Sequence, residues 1–149
     1  MSKKSYSFCL VGGQSLLTQC GDRLLEGGHT ISAVLSADPT ARTWARQQEL
    51  DHYINEEAFL DLAERPEFDY LLSIVNLQIT STRLLDAAAL GAINFHDGRL
   101  PDYAGLNVTS CALLNGETEH SVTWHEMLEE VDQGRIFVER AFPVPADAT

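Results

Sequence analysis

Apolar and polar positions alternate along this chain in two rhythms, one of period two and one of helical period. Ser5–Val11 (SYSFCLV) is a short apolar, β-rich run closed by Gly12-Gly13. From Gln14 to Glu26 the residues Leu16, Leu17, Cys20, Leu24 and Leu25 fall at helical spacing, and Gly27-Gly28 is a C-cap signal. Thr30–Ser36 predicts a second strand, and Asp38-Pro39-Thr40 a turn with a helix start. Thr40–Leu50 reads as helical, with Ala41, Trp44 and Ala45 facing inward. A brief strand at His52–Ile54 precedes Asn55, the N-cap of a helix carrying Phe59, Leu60 and Ala63. Phe68–Val75 (FDYLLSIV) is the strongest buried-strand signal; Ser81 to Leu90 reads as a helix and Ala92–Phe95 as a strand.

Strand and helix alternating at short intervals predict an α/β fold, an open, mostly parallel twisted sheet with helices on both faces. After Phe95 the rhythm changes. Arg99 to Asn107 is a loop rich in Pro, Gly and Asp, Val108–Asn115 is helix-like, and Ser121–Met127 and Ile136–Val144 read as last strands, antiparallel to one another. No internal boundary is visible, so residues 1–149 read as one domain. Asp147 to Thr149 resembles an N-cap approach without its helix, and the chain reads as a piece lacking a C-terminal helix or further domains.

Composition removes function classes rather than naming one. Hydrophobic residues make up 44% of the 149 and charged residues 21%, as in a globular protein. Ten Lys plus Arg against 22 Asp plus Glu give a net charge of −12, which argues against nucleic-acid or anionic-membrane surfaces. No apolar run approaches the roughly 20 residues of a membrane span, and the start has no signal-peptide core. Cys9, Cys20 and Cys111 read as buried reduced thiols in a cytoplasmic protein.

Single motifs carry little. Gly12-Gly13 could hold phosphate, but the third glycine of a dinucleotide fingerprint and a Walker lysine are missing, and a tight strand-to-helix turn is preferred. Asn94 and His96 lie two apart, so in a strand they point the same way, at the carboxyl end where open α/β sheets bind ligands. An amide donor beside an imidazole suits acyl chemistry; a strand-end Asn and His could equally fix a loop. Glu126, Glu129, Glu130 and Asp132 read as a solvated face, without the ligand geometry of a metal site. His125 reads as a packed or hydrogen-bonded histidine, and His29 as a cap or packing partner of the first helix.

The order of the motifs says more. Asn94-Phe95-His96, Leu100-Pro101, Tyr103-Ala104-Gly105, Leu114-Asn115-Gly116-Glu117, Val122-Thr123-Trp124-His125 and Val131-Asp132-Gln133-Gly134-Arg135-Ile136 resemble the folate-dependent formyltransferase family. That family includes glycinamide ribonucleotide, methionyl-tRNA and sugar-amine formyltransferases. The likeness is carried by Leu71 to Val144; the first half is a generic alternating α/β domain. Asp97-Gly98-Arg99-Leu100-Pro101 replaces the family's usual Ser-Leu-Leu-Pro lead. With Ser15-Leu16-Leu17 and Gly28-His29, this looks more like the formyltransferase domains attached to nonribosomal peptide synthetases.

The resemblance implies a Rossmann-like formyltransferase fold and the transfer of a formyl group from 10-formyltetrahydrofolate to a primary amine, with no metal. The acceptor it favours is an aminoacyl group on a carrier protein; a nucleotide-sugar amine or methionyl-tRNA is the alternative. It implies catalytic roles for Asn94, His96 and Asp132: an oxyanion donor, a stabilising and proton-passing imidazole, and a carboxylate that relays the proton. It places the pterin pocket along Ile74, Val75, Asn76, Leu77, Gln78 and Ile79 and at Leu128 and Val131. A catalytically inactive docking domain is the reading from another class, and the retained Asn, His and Asp argue against it. A flavodoxin-like regulatory domain would need acidic residues after the first strand, which are absent.

Overall fold

The computed structural model of the chain describes residues 4–148. In chain order it contains β1 (Ser7–Gly12), α1 (Gln14–Glu26), β2 (Thr30–Leu35), α2 (Pro39–Gln47), β3 (His52–Tyr53), α3 (Glu56–Leu60) and β4 (Phe68–Ile74). There follow α4 (Thr82–Leu85), β5 (Ala88–His96), α5 (Val108–Leu114), β6 (Glu119–Glu126) and β7 (Ile136–Pro143). The strands form a mixed sheet in the order β3-β2-β1-β4-β5-β6-β7. The parallel pairs β1/β2, β1/β4 and β2/β3 and the antiparallel pair β6/β7 are the arrangement expected from the sequence. Two compact units divide the chain, Met1–Ile93 and Asn94–Thr149.

In the first unit β1 is the central strand. Phe8 to Gly12 run in register with Tyr70 to Ile74, and Cys9, Leu10, Ala33, Val34, Leu71 and Ile74 are fully buried among them. Such continuous apolar strands are what a parallel sheet requires. The helices start where their caps dictate. Asp38 Oδ1 accepts from Ala41 N at 2.9 Å with Pro39 in the first turn, Asn55 Oδ1 from Ala58 N at 2.9 Å, and Ser81 Oγ from Leu84 N at 3.2 Å. Trp44, facing inward as expected, donates its indole N–H to Asp22 at 2.8 Å. His29 packs on Tyr6 and Phe8, and its Nδ1 accepts from Tyr6 N at 3.1 Å.

Gly12 has a φ of +127°, and a Cβ there would lie 1.9 Å from the carbonyl oxygen of Ile74. The ends of β1 and β4 therefore close on one another, and Gly13 N donates to that same carbonyl at 3.1 Å. The Gly12-Gly13 pair is thus a tight strand-to-helix turn, as the sequence preferred.

Three expectations are corrected. The helix read from Ser81 to Leu90 is only Thr82–Leu85, and the strand read as Ala92–Phe95 begins at Ala88. Ala87 to Leu90 are strong helix formers, but recruitment of Ala88 onward into the sheet overrides that local preference. Cys111 is exposed, not buried, because Val108 and Ala112, four residues apart, form the inward face of α5. Cys9 is buried as expected, and Cys20 half-buried.

In the second unit, β6 and β7 pair from Glu119↔Pro143 to His125↔Ile136, with a bulge beside Trp124 and His125. Every residue of β7 is exposed, whereas β6 buries alternate positions.

Candidate active site

Asn94 and His96 occupy the last turn of the pleat in β5, two residues apart and therefore on one side of it. The His96 side chain is 6% exposed, as is that of Asp132, which arrives on the loop between β6 and β7. That loop is shaped by Gly134, where a Cβ would lie 1.8 Å from the carbonyl oxygen of Glu126. Only glycine allows this approach, and Glu126 N donates to Arg135 O at 2.9 Å just beyond it. Asp132 itself has a φ of +58°, a conformation that Asp tolerates better than most side chains. The turned loop brings Asp132 Oδ1 to 3.7 Å from His96 Nδ1 and 3.5 Å from His125 Nε2.

Hydrogen bonds to carbonyls assign the tautomers of both rings, because a carbonyl can only accept. His96 Nε2 donates to Tyr103 O at 2.6 Å, leaving Nδ1 toward Asp132. His125 Nδ1 donates to Glu126 O at 2.8 Å, so its Nε2 is free to accept from Asn94 Nδ2 at 3.2 Å. Asp132 Oδ2 accepts from Gly105 N at 2.9 Å. The Tyr103-Ala104-Gly105 segment thus offers main-chain groups of opposite character to two side chains of the site, a carbonyl to His96 and an N–H to Asp132.

The structure brings together the three residues given catalytic roles, Asn94, His96 and Asp132, and adds His125 between them. His125, 2% exposed, is packed and hydrogen-bonded as the sequence predicts, and the structure sets it against both Asn94 and Asp132. The signal for it lay in β6, which buries Ser121, Thr123 and His125 at period two. A strand that turns its polar face inward has polar partners to satisfy there.

The residues assigned to the pterin pocket fall in two places. Ile74 ends β4, fully buried, with its carbonyl already bonded to Gly13. Val75 has a φ of +50°, an uncommon and costly conformation for a β-branched residue. Asn76 Oδ1 accepts from Gln78 N at 3.1 Å, which folds the loop and leaves Leu77 and Ile79 79% and 84% exposed. Leu128 and Val131, also exposed, stand on the same loop as Asp132 in the second unit. Among the described residues no group of three or more His, Cys, Asp or Glu side chains is placed to hold a metal ion, and no helix is long and apolar enough to cross a membrane.

An amide, two imidazoles and a carboxylate, all largely withdrawn from water, can donate to a developing oxyanion and carry a proton away from an attacking amine. No side chain in this group needs to act as a nucleophile. A methionyl-tRNA formyltransferase from Lactobacillus johnsonii is 29% identical over 143 residues, covering 85% of this chain and 45% of that protein. The chain spans less than half the length of the curated relatives it matches. Among solved structures, glycinamide ribonucleotide transformylase 1 from Symbiobacterium toebii superposes with a TM-score of 0.83 at 23% identity, covering 97% of this chain and 76% of that one. The N-formyltransferase from Helicobacter canadensis, in complex with folinic acid and dTDP-3-aminofucose, superposes with a TM-score of 0.71 at 20% identity, covering 92% and 52%. At those identities the likeness shows a shared fold. The family itself is shown by residues 20–149, which match the family described as formyl transferase; the chain belongs to it.

Proposed function

We propose that this chain transfers the formyl group of 10-formyltetrahydrofolate to a primary amine. The observation that carries the reading is the convergence of Asn94, His96 and Asp132 around His125, with both histidine tautomers set by carbonyls. The amine nitrogen forms its bond to the formyl carbon, and the carbonyl electron pair moves onto oxygen. Asn94 donates its amide N–H to that oxygen, an interaction worth about 3–4 kcal/mol when removed from comparable sites. His96 takes a proton from the amine, beside Asp132. Breaking the bond from carbon to N10 returns a proton to the leaving tetrahydrofolate nitrogen, so no proton or electron is gained or lost overall. The amine attacks directly, and the site accordingly offers no Ser or Cys.

In the first unit Leu77 and Ile79, held outward beside the strained Val75 with Asn76 and Gln78 as polar neighbours, offer apolar surface suited to a flat pterin; in the second, Leu128 and Val131 are exposed on the Asp132 loop. Such strain clusters where a backbone serves binding. The Helicobacter canadensis protein, whose structure holds folinic acid, favours a folate donor here too. The acceptor is an aminoacyl group on a carrier protein, as the Asp97-Gly98-Arg99-Leu100-Pro101 segment favours, with a nucleotide-sugar amine as the rival. The net charge of −12 disfavours a polyanionic acceptor such as the tRNA of the Lactobacillus johnsonii relative. The three free cysteines favour a reducing compartment, the cytoplasm, for this chemistry. The test is release of tetrahydrofolate from 10-formyltetrahydrofolate with each acceptor class supplied in turn. Release that depends on one class assigns it, and a folded chain that turns over none overturns the reading.

A further inference from the structure

Tyr103 meets the site through its main chain and an outer cavity through its side chain. Its carbonyl accepts from His96 Nε2 at 2.6 Å, and its own N–H donates to Arg99 O at 2.7 Å. Its phenol donates to Glu117 Oε1 at 2.8 Å and accepts from Asn115 Nδ2 at 3.1 Å. The ring stands edge-on to His120, centroids 6.1 Å apart. Tyr103, Asn115, Glu117 and His120 share the lining of a cavity of about 360 Å³ in the second unit.

An imidazole has two neutral tautomers, and what its bonded nitrogen faces decides between them. Placing the hydrogen of His96 on Nδ1 would set the Nε2 lone pair against the Tyr103 carbonyl oxygen at 2.6 Å, a repulsive contact. Neutral His96 therefore bears its hydrogen on Nε2. Its open lone pair, on Nδ1, lies 3.7 Å from Asp132 Oδ1.

We infer that Tyr103 is a positioning residue: its phenol, anchored by Glu117 and Asn115, holds the carbonyl that fixes the Nε2–H tautomer of His96 and leaves Nδ1 to take the amine's proton. The proton's destination rests on the formyl-transfer reading above; the tautomer does not. In the step assigned, the nitrogen-to-carbon bond forms as an amine N–H proton passes to Nδ1, and that proton leaves Nδ1 for N10 as the carbon–N10 bond breaks.

A main-chain carbonyl cannot be deleted by substitution, so the test acts on the phenol that anchors it. The measurements are 15N NMR of the histidine ring nitrogens and steady-state kinetics for wild type, Tyr103→Phe, Glu117→Ala and Glu117→Gln. Wild-type His96 shows a protonated Nε2 and a bare Nδ1. Tyr103→Phe and Glu117→Ala show mixed tautomers and a kcat lower by about tenfold, with the donor KM within about twofold of wild type. Glu117→Gln, which keeps an acceptor for the phenol, restores both. A Tyr103 that served only packing would lower the melting temperature and leave the tautomer and kcat as they were; that result overturns the inference. So does a wild-type His96 protonated on Nδ1. The tautomer is read without substrate, so a chain inactive toward every acceptor overturns the formyl-transfer reading and leaves this test decidable.

Discussion

Asn94 Nδ2 donates to His125 Nε2 at 3.2 Å, so the amide proposed to serve an oxyanion is oriented by an imidazole buried in β6. His125→Ala should leave that amide unaimed. The expected result is a kcat lower by about a hundredfold with the donor KM little changed. Stability should fall by about 1 kcal/mol or more, because a half-buried donor loses its acceptor. Wild-type turnover in a folded His125→Ala would show that Asn94 needs no such guide.

Asp132 and Gly134 sit two apart on one loop and should behave in opposite ways. Asp132→Asn keeps the shape of the side chain and an oxygen that can accept from Gly105 N, so the fold should hold while proton transfer slows. Gly134→Ala drives a methyl group into Glu126 O, and overpacking of this kind costs about 2 kcal/mol, or roughly 4–8 °C in melting temperature. Thermal melts beside turnover separate them. A large loss of stability in Asp132→Asn with an unchanged rate per folded molecule would make Asp132 a loop former.

The sequence carried most of this architecture, and where it fell short the reasons are physical. α1 was legible from Gln14 to Glu26 because its spacing and its two closing glycines agree. The boundary between α4 and β5 was not, since the alanines there prefer helix locally and only sheet pairing makes them strand. Asn94, His96 and Asp132 were legible as side chains in a characteristic order. The groups that orient them were not, because two of them, the Tyr103 carbonyl and the Gly105 N–H, are backbone that any residue could supply. His125 is a lone histidine in a strand until the loop returns and lays Asp132 beside it.

The three cysteines should label in a set order. Cys111 is exposed and should react first, Cys20 is half-buried with its thiol pushed up by burial, and Cys9 is fully buried with its thiol pushed up much further. The thiolate is the reactive form, so both effects protect Cys9. A thiol reagent followed over time should show one fast and one slow modification in the native protein and the third only in denaturant. Early modification of Cys9 would contradict the packing of β1.

Folate binding should not depend on a metal ion, since among the described residues no group of three or more His, Cys, Asp or Glu side chains is placed to hold one. Calorimetry with a folate analogue before and after EDTA treatment should return the same affinity. Binding that disappears with EDTA would require a metal in the donor pocket.

The central claim is that Asn94 and His96 carry formyl transfer on this chain. Its most direct measurement is the rate of tetrahydrofolate release from 10-formyltetrahydrofolate by wild type, Asn94→Ala and His96→Ala, with circular dichroism confirming that each is folded. His96 is buried and Asn94 bonds the buried His125, so each variant should lose some stability yet still fold, and lose about a hundredfold or more in kcat. Near-normal turnover in both folded variants would contradict the account.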